Sequence, residues 1–200
     1  KRALDLIASF ILTILFLPVW IIVPILIKLD SHGPIFFFQE RIGKNGRIFK
    51  IIKFRSMKMF EVGGREVHAV DFWKHNKKLY EKYKKAGWKL TLEKDPRITK
   101  LRRVLRQTSI DEFPQIFNIL KGDMSLVGPR PERPVFIEEF KKSIPNYMAR
   151  HKMKAGITGW AQVNGWRGNT SLEKRIECDI YYLTHWSIWL DIQILLLTLI

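Results

Sequence analysis

The chain has 200 residues, 12% of them aromatic with seven Trp, which excludes a disordered composition, and it is long enough to bury a core without staples. A single cysteine, Cys178, excludes an intrachain disulfide framework and a Cys-rich zinc site. Thirty-five Lys and Arg against nineteen Asp and Glu give a formal charge of +16. Such a charge calls for an anionic partner: nucleic acid, phosphorylated small molecules or an acidic membrane surface.

Leu6 to Ile27 is 22 residues without a charge. As one straight helix it would cover a bilayer core of about 30 Å. It is too long for a signal-peptide core and no small-residue cleavage site follows. Pro18 and Pro24 interrupt it, and an interior proline removes a helix hydrogen bond. Lys1 and Arg2 precede the run and Lys28 follows it, so flanking charge selects no orientation. A kinked span and a hairpin that enters and leaves one leaflet both fit.

Next, Ile35–Gln39 and Ile48–Ser56 read as two strands around the turn Gly43-Lys44-Asn45-Gly46. Between 41 and 58 there are seven basic residues (Arg41, Lys44, Arg47, Lys50, Lys53, Arg55, Lys58) and no acid. A solvated face is the ordinary explanation of such a run. The interleaved apolar residues favour a phosphate or lipid-headgroup surface. Residues 61–100 read as a polar, Lys-rich insertion around Gly63-Gly64, with a basic helix over Asp71–Lys85 carrying Phe72, Trp73, Leu79 and Tyr80 as its sparse apolar side. Asp95-Pro96-Arg97 reads as a turn.

Ile98–Arg106 reads as a short basic helix and Glu112–Leu120 as a second, closed by Gly122, with Pro114 forcing its start to Ser109–Asp111. Gly122–Pro134 and Gly156–Gly168 read as Gly/Pro-rich loops. Val135–Lys142 and Leu172–His185 read as helices, and Trp186–Ile200 is strongly apolar. Most of the chain past residue 30 reads as one unit around 98–126. Its abrupt limits suit a portion of a longer protein.

Asp111-Glu112 is the sharpest chemical feature. Two carboxylates at a helix start lie at the positive end of the dipole, downstream of Arg102, Arg103 and Arg106. So placed, a carboxylate stays ionised and serves as metal ligand or nucleophile. A capping box, Ser109-x-x-Glu112, explains the same residues without chemistry. Arg130, between Pro129 and Pro131, is either an exposed arginine on a stiff turn or a two-pronged phosphate ligand. Asp179 sits in an aromatic helix, where an N–H or Arg partner in the core is the plain account. The five His have no metal-ligand spacing, and neither a P-loop nor a dinucleotide fingerprint is present.

Taken together, the segments KRALDLIASF, FQERIGKNGRIFKIIKFRSM, DPRITKLRRVLRQTSIDEFPQIFNILKGDMSLVGPRP and GITGWAQVNGWRGNTSLEKRIECDIYYLTHWS resemble the catalytic domain of monotopic phosphoglycosyl transferases, the bacterial sugar transferases. The likeness covers nearly everything except about 60–94. It implies an α+β, mostly helical membrane protein with a re-entrant helix-break-helix over 1–30, a small β-hairpin and interfacial amphipathic helices. Residues 31–200 would be the catalytic domain on the cytoplasmic face of the bacterial inner membrane, with about 60–94 a basic insertion. It implies transfer of a hexose-1-phosphate, glucose before galactose, from a UDP-sugar to undecaprenyl phosphate, releasing UMP through a phosphosugar-aspartate intermediate. Asp111 would be the nucleophile and Glu112 its support, both with Mg²⁺. Lys53, Arg55, Arg106 and Arg130 would hold substrate phosphates, and Arg41 and Asp179 would complete the site. The product would open exopolysaccharide, O-antigen or glycoprotein glycan synthesis. A homodimer is compatible, and an amino-terminal multi-span region could precede Lys1. Where the family's break carries Ser-Pro, this chain has Leu17-Pro18. Against this stand nucleic-acid binding, which has no use for Leu6–Ile27, and a scaffold that only displays a basic face.

Overall fold

A computed structural model describes residues 1–68, 75–85, 97–168 and 170–198. In chain order the elements are α1 (Arg2–Leu15), α2 (Leu17–Asp30), β1 (Phe36–Ile42), β2 (Ile48–Phe54), β3 (Met59–Val62), β4 (Arg65–His68), α3 (Lys77–Lys85), α4 (Lys100–Gln107), α5 (Gln115–Lys121), β5 (Met124–Val127), α6 (Pro134–Ser143), β6 (Ala155–Thr158), α7 (Trp160–Val163), α8 (Leu172–Thr184) and α9 (Ile188–Leu197). Among the described residues three two-stranded sheets form: β1 with β2, β3 with β4 antiparallel, and β5 with β6 parallel. The fold is therefore α+β, as expected.

The chain divides into two compact units: Lys1–Leu15, Phe38–Ile52 and Gln115–Ile200 form the first, Phe16–Phe37 and Lys53–Pro114 the second. The single unit expected around 98–126 is not what forms, because the chain changes unit between Pro114 and Gln115.

In the first unit, Phe49, Ile51, Ile119, Met124, Leu126, Val127, Ala155, Tyr182 and Ile194 make the core, with Leu4, Ala8 and Leu12 of α1 against it. Polar groups tie its elements together. Asn118 of α5 acts as a strand neighbour for β2, accepting from Ile52 N–H at 2.9 Å and donating to Lys50 O at 2.8 Å. Asp5 of α1 is buried and accepts from Ser125 Oγ at 2.8 Å and Leu126 N–H at 3.0 Å. Arg2 donates to Ile119 O and Leu120 O, covering the last carbonyls of α5. Lys1 Nζ, Tyr182 Oη and Trp186 Nε1 all donate to Asp191, at 2.6, 2.5 and 3.1 Å.

In the second unit, Val23 and Ile27 of α2 pack on Phe54 and Leu105, with Trp20, Phe36 and Phe113 around them. Asp30, the last residue of α2, accepts from Thr99 Oγ1 at 3.0 Å and pairs with Arg102 Nε at 2.7 Å.

The apolar run breaks at Phe16 (φ −103°, ψ 26°), and Pro18 falls in the first turn of α2. That is the position where a missing N–H costs least, so the break lies just before the proline rather than on it. Pro24 remains inside α2. Among the described residues no single helix is long and apolar enough to cross a membrane; α1 and α2 reach that length and composition only together, bent by 63° at their break.

The β1–β2 hairpin forms as expected, its turn using left-handed Asn45 (φ 56°) and Gly46 (φ 77°). Both Gly/Pro-rich loops hold more structure than expected, since β5 and β6 lie in them. Four-residue strands flanked by glycine have too short a pattern to read, and β5 is buried on both sides. Of the helix expected over Asp71–Lys85, Lys77–Lys85 is helical, whereas 71–74, with Phe72 and Trp73, lie outside the described residues, as do Asp95 and Pro96.

Candidate active site

The acidic pair sits on a local reversal. Thr99 starts α4 by accepting from Arg102 N–H. After α4, Ser109 adopts left-handed backbone (φ 58°), and Ile110–Glu112 close into a tight 3-10 turn. Pro114 disfavours helix in the residues before it, so α5 begins at Gln115 and not at Glu112. The capping box does not form: the Ser109 side chain caps no helix N–H, and Glu112 turns elsewhere.

Glu112 Oε1 accepts from Lys53 Nζ of β2 at 2.9 Å, and Asp111 Oδ2 accepts from Ser56 Oγ at 3.1 Å. Both carboxylates are only 7% exposed. Burial raises the Asp111 pKa and the neighbouring Glu112 adds to this; Lys53, Arg106 and the Ser56 bond pull the other way without cancelling it. The result is a poorly solvated carboxylate bordered by cations. It suits attack on an electrophilic centre carried by an anion, because the cations offset charge repulsion as the two approach.

The same carboxylates could hold a divalent cation. Among the described residues no group of three or more His, Cys, Asp or Glu converges. Two acids suit Mg²⁺, which is commonly held by one or two carboxylates plus substrate phosphates. Its positive charge would relieve the crowding that raises the Asp111 pKa, so the donor set fits.

Arg55 requires a correction. It shares the second unit with Asp111, Glu112, Lys53 and Arg106, but it is 0% exposed. Its guanidinium donates to the carbonyls of Ser31 at 2.8 Å, Ile27 at 3.5 Å and His32. It satisfies the carbonyls that end α2, which is a fold role and not phosphate binding.

Arg41, Arg130 and Asp179 belong to the first unit. Arg130 is half-buried in the loop after β5. Arg41 donates to Pro131 O at 3.1 Å and Gln39 Oε1 at 2.6 Å. Asp179 is not displayed to a ligand: it is 2% exposed and pairs with the equally enclosed Arg150 at 2.6 Å. The plain account of Asp179, an Arg partner in the core, is therefore what forms. Burial opposes the Arg150 charge, but Asp179, with Tyr147 and Glu132, outweighs it and raises the Arg150 pKa. Beside it, burial and Arg150 push His151 down to about 4, so it is neutral at physiological pH.

Sequence reasoning missed Ser56 and Arg150. Ser56 ends the basic strand segment, but nothing in its type announces a bond to Asp111. Arg150 lies in the basic stretch ARHKMK, where nothing in its type distinguishes it from the neighbouring cations.

Comparison with known proteins gives a consistent answer. The pattern described as bacterial sugar transferase matches residues 1–200. The chain is 42% identical to a UDP-glucose:undecaprenyl-phosphate glucose-1-phosphate transferase of Escherichia coli (strain K12), over 99% of this chain and 39% of the relative. It is 41% identical to a UDP-N-acetylgalactosamine-undecaprenyl-phosphate N-acetylgalactosaminephosphotransferase of Aeromonas hydrophila, over 100% of this chain and 42% of the relative. It is 37% identical to the exopolysaccharide production protein PSS of Rhizobium leguminosarum bv. phaseoli, over 100% of this chain and 93% of the relative. The chain thus spans about two-fifths of the length of the first two. A match over residues 1–200 shows that the chain belongs to the bacterial sugar transferase family.

Proposed function

We propose that this chain carries the catalytic part of an enzyme that moves a sugar-1-phosphate from a UDP-sugar to undecaprenyl phosphate. The observation that carries this reading is Asp111, buried and weakly solvated beside Glu112, Lys53 and Arg106. The Asp111 carboxylate attacks the phosphorus on the sugar side of the diphosphate. The bond to the bridging oxygen breaks, and UMP leaves with that oxygen and its electron pair. A phosphate oxygen of the lipid then attacks the same phosphorus. The bond to Asp111 breaks, the carboxylate is restored, and the lipid carries a diphosphate-linked sugar. Splitting the transfer lets a water-soluble donor leave before a membrane-bound acceptor arrives.

Lys53 orients Glu112 and, with Arg106, offsets the charge of the incoming phosphates. Arg130 is assigned to a phosphate of the sugar nucleotide. Mg²⁺ held by Asp111 and Glu112 would neutralise diphosphate charge and act as a Lewis acid when bound. Glucose is the sugar assigned first, from GWAQVNGWRG, with galactose second, and the lipid-linked product would start exopolysaccharide or O-antigen assembly.

We also assign α1 and α2 to a re-entrant hairpin in one leaflet of the inner membrane, open to the cytoplasmic face. Ile7, Phe10, Ile11 and Leu15 of α1 and Ile21 and Ile25 of α2 each leave more than half their surface uncovered. Covering the rest of each such side chain would be worth roughly 1–2 kcal/mol, a gain that lipid would supply. Polar anchors hold both ends of the pair: Asp5 on Ser125 and Leu126, Asp30 on Thr99 and Arg102. The chain from 31 to 126 has no span-length apolar helix among the described residues. On this reading the chain between the two sets of anchors does not cross the bilayer, and the pair returns to the face it entered.

The test is UMP release by the full-length protein, with Mg²⁺ and undecaprenyl phosphate, across a panel of UDP-sugars. One responding sugar and a phosphosugar adduct on Asp111 by mass spectrometry are expected. Turnover without the adduct, and undiminished in Asp111→Asn, would overturn the nucleophile.

A further inference from the structure

Four consecutive carbonyls of the loop after β5 are each held by a different donor of the same unit. Pro129 O accepts from Gly156 N–H at 3.0 Å and Glu132 O from Ile42 N–H at 3.0 Å. Between them, Arg130 O accepts from Arg150 Nη2 at 2.9 Å and Pro131 O from Arg41 Nη1 at 3.1 Å. Two backbone donors and two guanidinium groups thus immobilise a loop that three prolines, Pro129, Pro131 and Pro134, already stiffen.

The Arg150 donor is an unusual one to place there. It is almost fully enclosed, is fixed by Asp179 at 2.6 Å, and also donates to Tyr147 Oη at 3.4 Å. A buried ion pair is a weak source of stability, since apolar residues of similar volume often serve as well. What this pair supplies is a charged donor locked in one direction, and that direction ends on the carbonyl of Arg130. A charge-assisted bond is stronger than a neutral one and resists rotation of the peptide it holds.

We infer that Arg150, Asp179 and Arg41 are positioning residues: they hold the backbone of Arg130 and Pro131 so that the Arg130 guanidinium is already placed for the diphosphate of the sugar nucleotide. Asp179 orients Arg150, and neither touches substrate. Fixing the backbone beforehand removes an ordering cost from binding, so the benefit appears in affinity for the nucleotide. The inference rests on the assignment of Arg130 to a substrate phosphate.

The experiment is a double-mutant cycle on the full-length protein, read as KM for the responding UDP-sugar and kcat from UMP release. Arg150→Met is expected to raise KM roughly tenfold to a hundredfold, with kcat within about threefold of wild type. In an Arg130→Met background the same change is expected to raise KM no further, because the residue it acts through is gone. Arg150→Lys, which keeps a cationic donor, is expected to recover most of the loss. Full additivity with Arg130→Met, or an unchanged KM in Arg150→Met, overturns the inference. An unchanged KM in Arg130→Met itself overturns the phosphate assignment, which is a separate result. Should Arg150→Met fail to fold because Asp179 is stranded, Arg150→Met/Asp179→Leu removes both charges and is read in the same way. Should no UDP-sugar be turned over, the phosphate assignment falls, and amide exchange at Arg130, Glu132 and Arg133 decides whether the clamp exists: unchanged exchange in the Arg150 variant overturns it.

Discussion

Asp111 is held in a place where its charge is costly. Its pKa in the folded chain is raised, burial first and Glu112 second, so the folded state binds the proton more tightly than the unfolded state. The stabilising contribution is complete below the unfolded carboxylate value and is lost as pH rises through the folded one. At neutral pH Asp111 therefore weakens the fold. Asp111→Asn is expected to raise the melting temperature while lowering UMP release by about a thousandfold or more. A melting curve and a turnover assay on one preparation check both signs; a lower melting temperature would contradict the burial argument. The same shift sets a pH dependence. The acid limb of kcat/KM is expected above the ordinary carboxylate range, because Asp111 must be ionised to act as the proposed nucleophile. Lys53 lowers the Asp111 pKa, so Lys53→Met moves that limb to higher pH. The dyad was visible in the sequence as an acidic pair after arginines. That it forms no capping box was not, because its side chains bond instead to Lys53 and Ser56, more than fifty positions away.

At the scale of elements, three glycines join the strand pair β5–β6 to the loop that carries Arg130. A Cβ on Gly156 would lie 2.1 Å from Gly128 N, one on Gly128 2.4 Å from Lys154 O, and one on Gly159 2.2 Å from Gly128 O. Each collision is with backbone, which cannot rotate away. Gly156→Ala is expected to destabilise the protein by about 3 kcal/mol or more, through strain rather than lost contacts. Gly64→Ala, where nothing lies within 4 Å, costs only the strain of its left-handed backbone. Chemical denaturation of the two variants checks the ranking. Here the sequence was only half legible. Glycines and prolines marked 122–134 and 156–168 as irregular, yet the same glycines permit two backbones to approach closely enough to pair in parallel. Local pattern reports the missing side chain and not what occupies its place.

For the whole molecule, the membrane assignment turns on where the ends of the apolar run are anchored. Lys100 and Lys121 are both exposed, one near the anchor of α2 and one near that of α1. With Cys178 replaced by Ser, single cysteines at these two positions are expected to be labelled from the same, cytoplasmic, side by an impermeant reagent. Labelling from opposite sides would mean that the run spans the bilayer. The charge of +16 suits the proposed placement, in which anionic lipid and anionic substrates would both meet a basic protein.

By itself the sequence determined the family, the broken apolar run, the β1–β2 hairpin and most helices, because those rest on periodicity, proline chemistry and motifs contiguous in the chain. Tertiary structure decided which charges are available. Arg55 and Asp179 look like site residues in the chain and are enclosed in the fold, whereas Ser56 and Arg150 look ordinary and are bonded to Asp111 and to the loop of Arg130. Whether a charged side chain binds a ligand or closes a backbone depends on what lies within about 3 Å of its polar atoms. Long-range packing sets those neighbours, and no local pattern in the sequence records them.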